Sequence, residues 1–200
     1  MKTILSLFVG LILAVTLCAC NSDKVYIKGK RDDIISEENN NTEWKTLYLQ
    51  QLMNVDEIIF EGFSLIYVDN DNIPEMFFQS KSHVTSSKLF WVYNNEVYST
   101  DLSFNGFYYY EKQNVFLNSG GFTGACWDTI YRLNNTDAEN ICDGNYCVVI
   151  GHESFRFNDS NYDTFEEYMN ARKQLFDTDK AFVPEKQLSL SELQEAIKNF

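Results

Sequence analysis

The sequence predicts an α+β fold: an N-terminal helix, a central antiparallel β meander and two C-terminal helices packed on the sheet. Helical periodicity is confined to the segment after residue 42 and to the last forty or so residues. Between them lie short β-branched and aromatic runs separated by Asn- and Asp-rich turns. The 200 residues include only 2 prolines and 9 glycines, against 16 phenylalanines, 12 tyrosines and 3 tryptophans. Such a composition suits one well-filled core and leaves little room for low-complexity sequence.

Thr42 is placed to cap a first helix over 43–54, whose Trp44, Leu47, Tyr48 and Leu52 recur at helical spacing and share one face. Phe63 to Val68 and Met76-Phe77-Phe78 then read as buried strands flanking an acidic loop. Lys88 to Tyr93 and Glu96 to Thr100 form a hairpin about Asn94-Asn95, because asparagine tolerates the positive φ of a primed turn. Phe107 to Tyr110 and Val115 to Leu117 flank residues 111–114 in the same manner, and Cys126 to Leu133 is a further strand. Asp163 or Thr164 caps a helix that runs to about Phe176. Beyond Pro184, Ser189 or Ser191 caps a last one carrying Leu190, Leu193, Ile197 and Phe200.

The first twenty residues point to an address. Lys2 precedes an uncharged apolar run, Ile4 to Leu17, too short to span a bilayer comfortably. The run ends in Leu17-Cys18-Ala19-Cys20, which resembles the lipobox of bacterial lipoproteins. That resemblance implies a signal peptide over 1–19, cleavage after Ala19, a diacylglyceryl thioether on Cys20 and an extracytoplasmic, membrane-anchored domain. Two acyl chains hold a soluble domain stably where one does not. Asn21 fits a Gram-positive outer face or an outer membrane without choosing between them. Residues 20–41 are polar, with Asp32-Asp33 and Glu37-Glu38-Asn39-Asn40-Asn41, and read as the lipidated cysteine and a flexible linker; 42–200 read as one domain.

Without residues 1–19 the chain carries 15 basic against 29 acidic residues. That balance disfavours nucleic acid, whose phosphates require a basic surface. Three carboxylates gather in Tyr67-Val68-Asp69-Asn70-Asp71-Asn72-Ile73-Pro74-Glu75. The motif, a hydrophobic strand leading through D-x-D-x-x-P-E into another, resembles one in uncharacterised secreted lipoproteins of clostridial bacteria, a family that brings no assigned activity. Asp69, Asp71 and Glu75 offer hard oxygen donors of the kind calcium takes, although the loop lacks the glycine of common calcium loops. The competing reading is structural: the Asp and Asn side chains cap their own turn and Pro74 sets the return.

Cys142-Asp143-Gly144-Asn145-Tyr146-Cys147 reads as a hairpin with Gly144-Asn145 at its turn, which would bring Cys142 and Cys147 together as a cross-strand disulfide. Pairing of Cys126 with either, or three free thiols, stays open. His83 and His152 carry no flanking catalytic signature, and no zinc spacing appears. Tyr108 and Tyr110, on one strand face, are candidates with Trp91 and Trp127 for a sugar-stacking platform or for ordinary packing. No cofactor is expected apart from calcium. The expectation is a non-catalytic binding domain for an extracellular protein, a glycan or a cell-envelope component, with a hydrolase acting on glycans or peptidoglycan as the alternative.

Overall fold

The computed structural model of the chain describes residues 37–200 except 83, 104, 105 and 186, with side chains from residue 43 onward. Cys20, the signal segment and most of the linker thus lie outside the described residues. Helix α1 (Glu37–Leu52) leads into strands β1 (Phe60–Ile66), β2 (Glu75–Ser80), β3 (Ser87–Tyr93) and β4 (Glu96–Leu102), which pair antiparallel in chain order. A second antiparallel sheet follows, with β5 (Gly106–Tyr110), β6 (Val115–Phe122), β7 (Ala125–Leu133), β8 (Ala138–Cys147), β9 (Ser154–Phe157) and β10 (Ser160–Tyr162), again in chain order. Helices α2 (Phe165–Leu175) and α3 (Leu190–Asn199) complete the chain. The fold is α+β as the sequence predicts, with the meander divided into two sheets.

Side-chain alternation explains the layering. Met76 and Phe78 of β2 pack with Trp44, Tyr48 and Leu52 of α1 and with Leu193 and Ile197 of α3. Phe77, between them, points the other way and joins Leu89 and Trp91 in a second core with Phe107, Tyr109 and Phe116 of the six-stranded sheet. On the far face of that sheet, Leu117, Ile130, Phe155 and Phe157 pack with Tyr168 of α2 and Phe176. The order is therefore helices, four-stranded sheet, six-stranded sheet, helix. The first sheet is covered on both faces, which is why β2 is buried along almost its whole length and not on alternate residues. Rings carry much of the contact: Phe77 stacks on Phe107 with centroids 4.6 Å apart, and Tyr110 on Phe176 at 4.4 Å.

Local signals set the connections. Asn94 and Asn95 take φ of 48° and 61°, the primed turn expected between β3 and β4. Thr164 and Ser189 cap α2 and α3, each in a reciprocal box with Glu167 or Glu192. Between α2 and α3 the chain crosses the sandwich: Phe182 bridges to Tyr109 on edge strand β5, and Leu188 to Phe63 on edge strand β1. One segment thereby satisfies backbone groups on an edge of each sheet.

Two expectations are corrected. Helix α1 begins at Glu37, so residues 37–41, assigned to the linker, are helical and Thr42 is not the cap. Residues 138–147 are one strand and not a hairpin: Gly144 pairs with both Asp128 and Phe157, and Asn145 with both Trp127 and Arg156. Gly144 is a strand glycine because a methyl group there would collide with the Tyr168 hydroxyl and the Phe157 ring. Cys142 and Cys147 are thus about 16 Å apart along one strand, and a bridge between them is refused. Cys126, opposite Tyr146, lies on the other face of the sheet from Cys147 and four residue pairs along the ladder from Cys142. All three cysteines are free thiols. Alkylation of the denatured chain without reductant should label Cys126, Cys142 and Cys147 fully; a cross-linked peptide by mass spectrometry would contradict the strand.

Candidate functional site

Two clusters of ionisable groups stand out, and they differ in kind. The first is the sequence-predicted loop between β1 and β2. Asp69 Oδ1 accepts the Asp71 amide at 2.9 Å and Asp71 Oδ1 the Ile73 amide at 2.6 Å, two successive side-chain-capped turns. Glu75, 1% exposed, turns inward and accepts the Val68 amide at 2.6 Å across the mouth of the hairpin. The loop is held from outside as well: the Tyr48 hydroxyl donates to the Pro74 carbonyl at 2.9 Å, and the 111–114 turn donates from Lys112 and Asn114 to the Tyr67 and Val68 carbonyls.

The structure does bring Asp69, Asp71 and Glu75 together, with one carboxylate oxygen of each lying within 4.8 Å of the others. Crowding three acids raises their cost of ionisation. Burial above all, then the neighbouring Asp69, pushes Asp71 up to about 6, against the opposing Ile73 amide and Lys112. Burial pushes Glu75 well above its ordinary value too, with Asp69 and Asp71 adding to it and the Val68 amide opposing. A hard cation or a proton would relieve this repulsion. The acids otherwise serve the backbone of their own hairpin, the closed-turn arrangement of a structural role.

The second cluster was not anticipated. Asp128 of β7, 1% exposed, sits between the six-stranded sheet and α2. Its Oδ1 accepts from Ser119 of β6, and its Oδ2 accepts from the Tyr168 hydroxyl at 2.7 Å and from Arg172 Nη1 at 3.3 Å. Arg172 Nη2 continues to Thr178, while its Nε is buried without a partner. Burial, then the Asp128 charge, pushes the Tyr168 phenol far up, so it remains a donor. One signal was available: Arg172 lies one turn beyond Tyr168 on the apolar stripe of α2, and a guanidinium on a buried face requires a buried acceptor. Both oxygens of Asp128 are engaged, which makes the cluster a strut between helix and sheet.

Beside it, the Tyr146 phenol is pushed up to about 12 by burial and by its hydrogen bond with Cys126. His152 is exposed in the β8–β9 connection, and His83 lies outside the described residues. The four-ring sugar platform is not assembled. Trp91 is buried and donates to the Asn135 carbonyl, while Tyr108 and Tyr110 pack in the α2 core; Trp127 alone is open, 42% exposed. No helix among the described residues is long and apolar enough to cross a membrane. No protein-family model, curated protein or solved structure matches this chain.

Proposed function

We propose that this chain is an extracytoplasmic lipoprotein, anchored through Cys20, whose α+β domain acts by binding a component outside the membrane. The address rests on Leu17-Cys18-Ala19-Cys20 and its apolar leader. The binding role is carried by the fate of the buried acids. Hydrolysis of a glycosidic bond needs two carboxylates free to face substrate, whereas Glu75 holds the Val68 amide, Asp128 is saturated by Ser119, Tyr168 and Arg172, and Asp177 accepts the Asp179 amide and pairs with Lys173 and Lys180. Calcium belongs to this reading only at Asp69, Asp71 and Glu75, as a structural ion; melting that is insensitive to EDTA removes it.

Two measurements test the proposal. Cys20→Ala should release the protein from the membrane fraction into the medium, and continued retention would sink the lipid anchor. The purified chain, incubated with isolated cell-wall material, should sediment with it and liberate no soluble fragments. Fragment release would turn the assignment to the hydrolase.

A further inference from the structure

The two sheets are unequal, and among the described residues the inequality leaves a face open. The four-stranded sheet covers Phe107, Tyr109 and Phe116 on β5 and β6 and reaches Leu133 at the end of β7. On the same face, β8, β9 and β10 expose Asn145, Arg156 and Asn161, while α2 covers the opposite face. Register aligns these residues. Trp127 pairs with Asn145, Asn145 with Arg156, and Arg156 with Asn161, a single row across four strands. A groove of about 500 Å³ along this wing is lined by Asn140, Asp143, Asn145 and Arg156 among others.

We propose that this row binds a neutral oligosaccharide, with Trp127 as the stacking surface and Asn145, Arg156 and Asn161 as the hydroxyl-reading groups. The proposal rests on the binding role above and names its ligand class. Trp127 is set in advance: its ring lies against Gly120, where a side chain would collide with it, and its Nε1–H donates to Ser103 Oγ at 3.0 Å. The indole is thereby held without using its exposed surface. Beyond it come amides and a guanidinium, planar groups that donate and, for the amides, accept, as vicinal hydroxyls require.

Charge decides against other polymers. Arg156 is already paired with Asp159 at 2.7 Å, and Asp143 receives Asn140 at 2.8 Å. A polyanion would meet carboxylates beside a neutralised guanidinium, and a polycation would have to compete with that pair. An apolar chain would desolvate the amides of Asn145 and Asn161 with nothing in return. A sugar, with an apolar ring face and a polar rim, matches both halves of the row.

The test uses the full chain in detergent with cellotetraose, maltotetraose and the tetramer of N-acetylglucosamine as probes. Trp44 and Trp91 are buried, so acrylamide reports chiefly on Trp127. At least one tetramer should protect the exposed tryptophan saturably in the millimolar range or below. Asn145→Ala and Arg156→Ala, both at exposed positions, should each weaken that binding about tenfold, the equivalent of one lost hydrogen bond to a buried partner. Calorimetry on Trp127→Ala should show a loss at least as large. No protection by any of the three, or binding indifferent to all three substitutions, overturns the proposal. So does a concentration-dependent dimer in which Trp127 is protected without sugar, since a second copy would then occupy the face. Sedimentation with wall material in any of these cases would leave the binding role standing and remove only this site.

Discussion

Replacing Asp128 with alanine is expected to cost the domain about 3–5 kcal/mol, the range for breaking a buried ion pair from one side. Three donors lose their acceptor at once: the Ser119 hydroxyl, the Tyr168 hydroxyl and Arg172 Nη1. The guanidinium is left buried, with its Nε already unpartnered. Set against a typical stability of about 5–15 kcal/mol, this is a large fraction, and the melting temperature should fall by roughly 10 °C. Arg172→Met alone should also destabilise, by leaving Asp128 buried without its cation. The double variant Asp128→Ala, Arg172→Met should lose much less than the two singles together, because with both charges removed no buried ion is left without its partner. Additive losses in that cycle would show that the two side chains do not act as a pair.

The Asp128 strut also shows where sequence reading stops. What is encoded within a few residues was readable: the Asn94-Asn95 turn, the caps of α2 and α3 to within a choice of two residues each, and the stripe on α3. What depends on a partner far along the chain was not. Asp128 and Arg172 are 44 residues apart, and only tertiary packing brings β7 under α2. Gly144-Asn145 failed for a related reason. The pair has the composition of a hairpin turn, yet Gly144 is selected by the approach of Tyr168 from another element. The division of one meander into two sheets is likewise a matter of packing, since each strand reads alike whichever sheet receives it. For the candidate site, the convergence of Asp69, Asp71 and Glu75 was legible from their spacing, while the open row from Trp127 to Asn161 depended on knowing which strands the smaller sheet leaves bare.

The acidic loop should make the domain lose stability as pH rises from about 4 to 7 in EDTA, opposite in sign to the usual effect of paired carboxylates. Asp71 titrates near 6 in the folded chain and near its ordinary value of 3.8 when unfolded, and Glu75 is displaced in the same direction. Between the two values the folded state holds protons that the unfolded chain has released. Stability therefore falls with rising pH through that window and is greatest below it. Asp177 works the other way: despite some desolvation, its contacts with the Asp179 amide, Lys180 and Lys173 hold it low, so its contribution is lost only at pH below the range of interest. Glu75→Gln keeps an oxygen for the Val68 amide and removes the buried charge. It should raise the melting temperature at pH 7, change it little at pH 4, and flatten the profile; adding Asp71→Asn should flatten it further. A wild-type profile in EDTA that is level or rises across this range would show that burial and the neighbouring carboxylates do not raise Asp71 and Glu75. If calcium then restores stability at pH 7 in the wild type and not in Asp71→Asn, the ion and the proton are relieving the same repulsion.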